Sequence, residues 1–266
     1  MTPPLPTQWL NSPQASARIA LACLDLTSLG NADTDADIAS LCQRAQSPFG
    51  PVAAVCVWPR LAAFARAHLP ASIAVAAVAN FPHGDADIDA AVRDTLQIVQ
   101  AGAQEVDVVL PYRSLMAGDD RAVTDLLTAV RNACPGLLLK VILETGELKT
   151  PALIERACQL SLDAGADFLK TSTGKTPVSA TLEAARILLG AIAASPAART
   201  RVGFKASGGI RTVADVAAYL ALTQELLGAQ AMAPQRFRIG ASSLLNDIEA
   251  VLSGRSAGTA TTAGTY

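Results

Sequence analysis

The sequence predicts an α/β fold, a single (β/α)8 TIM barrel. Three observations carry this expectation. Short apolar runs alternate with segments of helical periodicity along the chain. Eight such runs stand out, the number that a closed barrel of this type needs. The 266 residues show no composition shift and no long linker that would split them into two domains.

The eight runs are residues 19–26, 52–58, 73–80, 105–111, 137–144, 168–172, 202–206 and 237–240. Several are rich in Val and Ile, and each has about the length of one buried parallel strand. The gaps hold helices. Segment 88–100 carries Ile88, Val92, Leu96 and Val99 at steps of three or four, and 120–131 carries Val123, Leu126, Leu127 and Val130 likewise. Segments 181–193 and 212–222 behave in the same way. A doubly wound open sheet is the alternative. Its GxGxxG signal is missing after the first strand, where Asp25-Leu26-Thr27-Ser28-Leu29-Gly30 stands instead. Residues 1–253 are expected to form one barrel domain, with 1–17 as an N-terminal extension. The Gly-, Ala-, Ser- and Thr-rich stretch 254–266 reads as a flexible tail.

Composition narrows the function. The chain is 51% hydrophobic, only 4% aromatic, and has a net charge of −2. Nothing here suggests a nucleic-acid or membrane partner. No apolar run approaches the roughly 18 residues that span a bilayer, and Met1-Thr2-Pro3-Pro4 lacks the pattern of a signal peptide. Cys23, Cys42, Cys56, Cys134 and Cys158 are odd in number, scattered and without a CxxC pair. This argues for a reducing cytoplasm and against a disulfide framework or zinc site. Only His68 and His83 could offer imidazole ligands, so no metal is expected.

A charge in the middle of such a strand has one tolerable direction, inward and towards the open mouth. Asp107, Lys140, Lys170 and Lys205 meet this condition on the fourth to seventh strands. A structural ion-pair network is the bland account of any one of them. Three lysines against one aspartate make a poor stabilising set, because burial is costly and like charges repel. They are well suited to lowering the proton affinity of an amine. Two ammonium groups about 5 Å apart, at an effective dielectric near 20, repel by roughly 3 kcal/mol. That lowers proton affinity about a hundredfold, and burial adds to it. An ordinary lysine, with a pKa of about 10.4, thereby becomes a nucleophile near neutral pH.

Three turns after the last three strands point to a phosphate: Ser172-Thr173-Gly174-Lys175, Ser207-Gly208-Gly209 and Gly240-Ala241-Ser242-Ser243. Glycine frees backbone N–H groups, and hydroxyls at a helix start add donors. Lys175 supplies direct charge. Thr173, Gly174, Lys175, Gly208, Gly209, Gly240, Ser242 and Ser243 are therefore candidate phosphate ligands, and the expected partner is a small-molecule sugar phosphate. Asp25 ends the first strand on the mouth side. It can bond a substrate hydroxyl or a mouth lysine, or cap its loop.

The chain resembles the deoxyribose-phosphate aldolases, a class I aldolase family, over residues 21–245. The stretches that carry the resemblance are Asp25-Leu26-Thr27, Asn80-Phe81-Pro82-His83-Gly84, 105–113 (EVDVVLPYR), 140–148 (KVILETGEL), 168–175 (FLKTSTGK), 203–211 (GFKASGGIR) and 238–243 (RIGASS). Some members have Pro-Ala where Ala206-Ser207 stands here. The resemblance implies a barrel, no metal and no organic cofactor. It implies that Lys170 forms the Schiff base, Lys205 lowers its pKa and Asp107 transfers protons. Lys140 is a further positive charge beside them. It also implies that the terminal Tyr266 can fold over the mouth and help enamine proton transfer. The expected reaction is reversible cleavage of 2-deoxy-D-ribose 5-phosphate to D-glyceraldehyde 3-phosphate and acetaldehyde. A homo-oligomer, dimer or tetramer, is expected.

Other residues carry plainer expectations. Cys23 and Cys56 read as core, His83 as a loop contact and Glu144 as support for the lysine cluster. Two other functions compete. Another phosphate-binding barrel aldolase or isomerase would keep the turns without needing Lys170. A non-catalytic sugar-phosphate-binding barrel would be expected to lose Asp107, Lys170 or Lys205, and all three are present.

Overall fold

The computed structural model describes residues 12–254. Eight parallel strands close into one barrel: β1 Leu24–Thr27, β2 Ala54–Val57, β3 Ala74–Ala79, β4 Glu105–Val109, β5 Leu138–Ile142, β6 Phe168–Lys170, β7 Gly203–Ser207 and β8 Phe237–Ala241. β1 pairs with β2 on one side and with β8 on the other, which completes the ring. A two-stranded antiparallel ribbon, Gln46–Ser47 with Gly50–Pro51, precedes β2.

The strand period of two sorts side chains between two environments. Val106 and Val108 of β4, Leu139 and Val141 of β5, and Phe204 and Ala206 of β7 join the main apolar core under the helices. The alternate residues fill the barrel. In β2 and β3 these are Cys56, Ala76 and Val78, which form a second small apolar cluster with Leu29. In β1 and in β4 to β8 they include the charged residues. β3 is mostly alanine, a poor strand former alone. Small side chains suit a strand that is buried on both faces.

The helices follow the periodic stretches. Ile88–Gln100 buries Ala91, Thr95 and Ile98, and Asp120–Ala133 buries Val123, Leu126, Leu127 and Val130. Thr34 with Asp37 and Thr212 with Asp215 form capping boxes at helices Asp35–Arg44 and Val213–Leu227.

Most expected strands extend past the observed ones by a few residues, and the expected run 19–26 takes in part of a helix. Residues 19–22 belong to helix Pro13–Ala22, and β1 begins only at Leu24. The apolar face of that helix runs straight into the strand, so the two read as one run. The helix also begins inside the segment 1–17 expected to be an extension. The expected tail lies outside the described residues apart from Gly254, and Tyr266 lies outside them altogether. Among the described residues no helix is long and apolar enough to cross a membrane.

Candidate active site

Barrel register brings the charged residues together. Lys170 ends β6 beside Lys205 of β7, which lies beside Arg238 of β8. Asp107 of β4 lies beside Lys140 of β5. Asp107 is the hub. Its Oδ1 accepts from Lys140 Nζ at 2.6 Å. Its Oδ2 accepts from Lys170 Nζ at 2.8 Å and from Lys205 Nζ at 2.8 Å. Lys205 also donates to Asp25 Oδ2 at 2.5 Å.

Below this hub is a second layer. Arg238 Nη1 donates to Asp25 Oδ1 at 2.6 Å, and its Nη2 donates to Glu105 Oε1 at 2.7 Å. Glu105 Oε2 lies 2.6 Å from Lys140 Nζ. The Arg238 guanidinium also sits 5.7 Å from the centre of the Phe168 ring. That ring fills space left by Gly203, where a Cβ would come within 2.3 Å of it.

The charge balance differs from the sequence-based count of three lysines and one aspartate. Lys140, Lys170, Lys205 and Arg238 face Asp25, Glu105 and Asp107, an excess of one cation. Glu105 and Arg238 were not singled out from sequence. Both stand at or next to a strand's start, where a charge reads as a boundary. Asp25, expected at the mouth, is fully buried. Its carboxylate meets Lys205 and Arg238 and does not reach the pocket wall, because β1 begins only at Leu24 and Asp25 stands near the strand's start, beneath the lysines.

The electrostatics separate the three lysines. Burial pushes the Lys170 pKa down, Asp107 pushes it up, Lys205 pushes it down, and the net result lies below 10.5. Burial acts on Lys205 in the same sense, but Asp107 and Asp25 outweigh it and raise the pKa. Lys140 is raised too, by Asp107, Glu105 and Asp25 against burial. Burial opposes the charged form of Asp107, yet Lys140, Lys170 and Lys205 hold its carboxyl well below 3.8. Asp25 is lowered in the same way, mainly by Lys205 and Arg238. Burial is thus the largest cause at Lys170, and repulsion from Lys205 is secondary.

A pocket of about 470 Å³ opens above the hub. Of the four interior cations only Lys170 lines it. Thr173, Gly174, Lys175, Gly208, Gly209, Gly240, Ser242 and Ser243 line the same pocket. Lys205, Lys140 and Asp107 lie beneath it, fully buried. Gly208 is required twice over. Its φ is +85°, and a Cβ there would meet Ser179 at 2.5 Å. At Gly240 a Cβ would stand 3.1 Å from Lys205 Cε, so glycine leaves room for that side chain.

Several pocket residues escaped the sequence reading. Arg211 follows the Gly-Gly turn and adds a second exposed cation, a signal visible in Gly-Gly-Ile-Arg. Ser28 and Asp33 come from the loop after β1, where Asp33 accepts from Ser28 Oγ at 2.8 Å and from Gly30 N at 2.9 Å. Glu144 has a left-handed backbone, φ 56° and ψ 57°, which costs a non-glycine residue about 1 kcal/mol. Among the described residues no group of three or more His, Cys, Asp and Glu side chains is arranged to hold a metal ion. All five cysteines are free and buried.

A closed (β/α)8 barrel whose buried lysine, its pKa lowered, opens into a glycine- and serine-rich pocket at the C-terminal ends of the strands has the architecture of a barrel enzyme. Residues 19–250 match the DeoC/LacD family aldolase, and the chain belongs to that family. It is 49% identical over 251 residues to the deoxyribose-phosphate aldolase of Agrobacterium fabrum (strain C58 / ATCC 33970), a match covering 93% of this chain and 96% of the relative. A solved structure from Toxoplasma gondii ME49 superposes with a TM-score of 0.84 at 24% identity, over 92% of this chain and 96% of that one, a likeness of fold. The tetrameric deoxyribose phosphate aldolase of Aeropyrum pernix is 26% identical, with a TM-score of 0.67, over 91% of this chain and 93% of its own.

Proposed function

We propose that this aldolase cleaves 2-deoxy-D-ribose 5-phosphate, reversibly, to D-glyceraldehyde 3-phosphate and acetaldehyde through a Schiff base on Lys170. One observation carries the reading. Lys170 is the interior lysine that both lines the pocket and has its proton affinity lowered. A neutral amine is what carbonyl attack requires.

Lys170 Nζ attacks C1 of the open-chain sugar, forming a C–N bond while the carbonyl oxygen takes up a proton. The carbinolamine loses water to give an iminium. Asp107, 2.8 Å from Nζ, shuttles the protons, through water where the distance demands it. A base then takes the C3 hydroxyl proton. The C2–C3 bond breaks, and its electron pair flows into the iminium to give an enamine. Glyceraldehyde 3-phosphate departs. The enamine is protonated at C2, and hydrolysis releases acetaldehyde and Lys170. Lys205, kept charged by two carboxylates, holds a fixed positive charge beside the reacting nitrogen.

The phosphate sits at the opposite end of the pocket. Gly174, Gly208 and Gly209 offer backbone N–H groups, and Ser242 and Ser243 offer hydroxyls. Helix Leu244–Leu252 starts there with no side-chain cap on its first turn. Lys175 and Arg211 supply positive charge. The reading includes metal-independent chemistry in the cytoplasm, in keeping with five unpaired cysteines, and a homo-oligomer, as in the tetrameric relative.

Borohydride reduction in the presence of 2-deoxyribose 5-phosphate, followed by peptide mass analysis, tests the proposal. A stable adduct on Lys170, and turnover unchanged by EDTA, are expected. An adduct on Lys205, or none, would overturn it.

A further inference from the structure

We propose that Glu144 is a positioning residue for the phosphate end of the pocket, acting through the loop after β6. The inference rests on the reading that this end binds a phosphate. Glu144 follows β5 in a left-handed conformation, and its side chain is fully buried. Its Oε2 accepts from Thr173 Oγ1 at 2.5 Å, and its Oε1 lies 3.2 Å from Thr176 Oγ1, whose one hydrogen is shared with Val178 O at 3.0 Å. The Thr173 N–H points at both oxygens from 3.4 Å. No cation pairs with this carboxylate among the described residues; every partner comes from the loop.

Counting hydrogens sharpens the role. Thr173 Oγ1 accepts from Lys175 N at 3.0 Å and has one hydrogen of its own. That hydrogen is committed to Glu144, so the Thr173 side chain is a strut and not a donor to ligand. The strut fixes Gly174, whose φ is +80°, and Lys175, whose Nζ donates to Leu29 O at 2.8 Å across the pocket. The loops after β6 and β7 nearly touch, since a Cβ on Gly208 would lie 3.1 Å from Gly174 Cα. A shift of Gly174 therefore disturbs both. A carboxylate facing a phosphate would repel it. Glu144 is absent from the pocket wall, and its carboxylate is turned towards donors of the loop.

The test is a set of four variants, Glu144→Gln, Glu144→Ala, Thr173→Val and Thr173→Ser, with inorganic phosphate as the direct probe by calorimetry. Glu144→Ala and Thr173→Val are expected to weaken phosphate binding about tenfold or more, as loss of a supporting residue does. Glu144→Gln keeps one acceptor and should fall between. Thr173→Ser keeps the hydroxyl and should match the parent protein. In turnover, the Glu144 variants should raise KM for 2-deoxyribose 5-phosphate far more than they lower kcat, and leave kcat/KM for 2-deoxyribose within about twofold. Equal losses with both sugars, or phosphate affinity unchanged in Glu144→Ala and Thr173→Val, would overturn the proposal. If Glu144→Ala does not fold, the Thr173 pair decides. A parent protein that binds phosphate but cleaves nothing, with variants that lose phosphate, would sink the aldolase reading and leave this inference standing.

Discussion

The floor and the mouth of the barrel hold the same chemical groups and put them to opposite uses. Lys140 and Lys170 stand on neighbouring strands, both are buried, and both donate to Asp107. Lys140 also has Glu105 at 2.6 Å and Asp25 at 3.6 Å, and its pKa rises. Lys170 has one carboxylate oxygen, which it shares with Lys205, and its pKa falls. Burial is common to the two sites, so the number of carboxylates decides which lysine holds its proton more tightly and which gives it up more readily. The floor saturates its charges; the single unmatched positive charge is left at the mouth.

The largest expected effect breaks the mouth alone. Lys170→Ala should lower kcat by at least about 10³-fold, because no covalent intermediate can form. A thermal melt close to that of the parent protein would separate this from unfolding. Next comes the floor. Arg238→Met leaves Glu105 and Asp25 short of a partner and should cost about 3 kcal/mol in urea unfolding, with a far smaller change in kcat than Lys170→Ala. Equal damage to activity from both variants would erase the division between the two regions.

A smaller effect links them. The kcat/KM profile of the parent protein should rise with pH as Lys170 loses its proton, with the limb below 10.5. Lys205→Met removes a repelling charge and leaves Asp107 freer to hold the Lys170 proton. The limb should move to higher pH by about one pH unit. A limb that stays in place, or moves down, would show that Lys205 does not set the proton affinity of Lys170.

The smallest effect concerns acid. Asp107 and Asp25 have folded-state pKa values below their ordinary 3.8. Their stabilisation is complete above that value and lost only as pH falls through the lower, folded value. Unfolding free energy should therefore begin to lose these two contributions only below pH 3.8. Stability followed by urea titration down the acid range checks this. Loss of the Asp107 contribution near neutral pH would contradict the ion-pair account.

Much of this was legible in the sequence, and the gaps have physical causes. Helix-covered parallel strands are apolar on both faces, so they appear as compact runs, and an inward charge such as Lys170 stands out within one. The helix Pro13–Ala22 merged with β1 because its own apolar face abuts the strand. Asp25 reads as a mouth residue only when the strand is drawn from residue 19; β1 starts at Leu24, which puts Asp25 near the floor. Only the register of the closed ring reveals that it lies under Lys205 and Arg238. Glu105 and Arg238 were hidden because a charge at a strand's edge is ordinary. The left-handed turn at Glu144 gave no warning, since no glycine marks it. The glycine- and serine-rich turns were easy to find, because each is a local pattern that the barrel gathers at one end.

The most direct test is competitive labelling of the native protein with a trace amine-reactive reagent across neutral to alkaline pH, read out lysine by lysine by mass spectrometry. Lys170 should titrate as a reactive amine below 10.5, and its labelling should be blocked by 2-deoxyribose 5-phosphate, while Lys140 and Lys205 remain unlabelled throughout. Titration of Lys170 at or above 10.5, or preferential labelling of Lys205, would contradict the account.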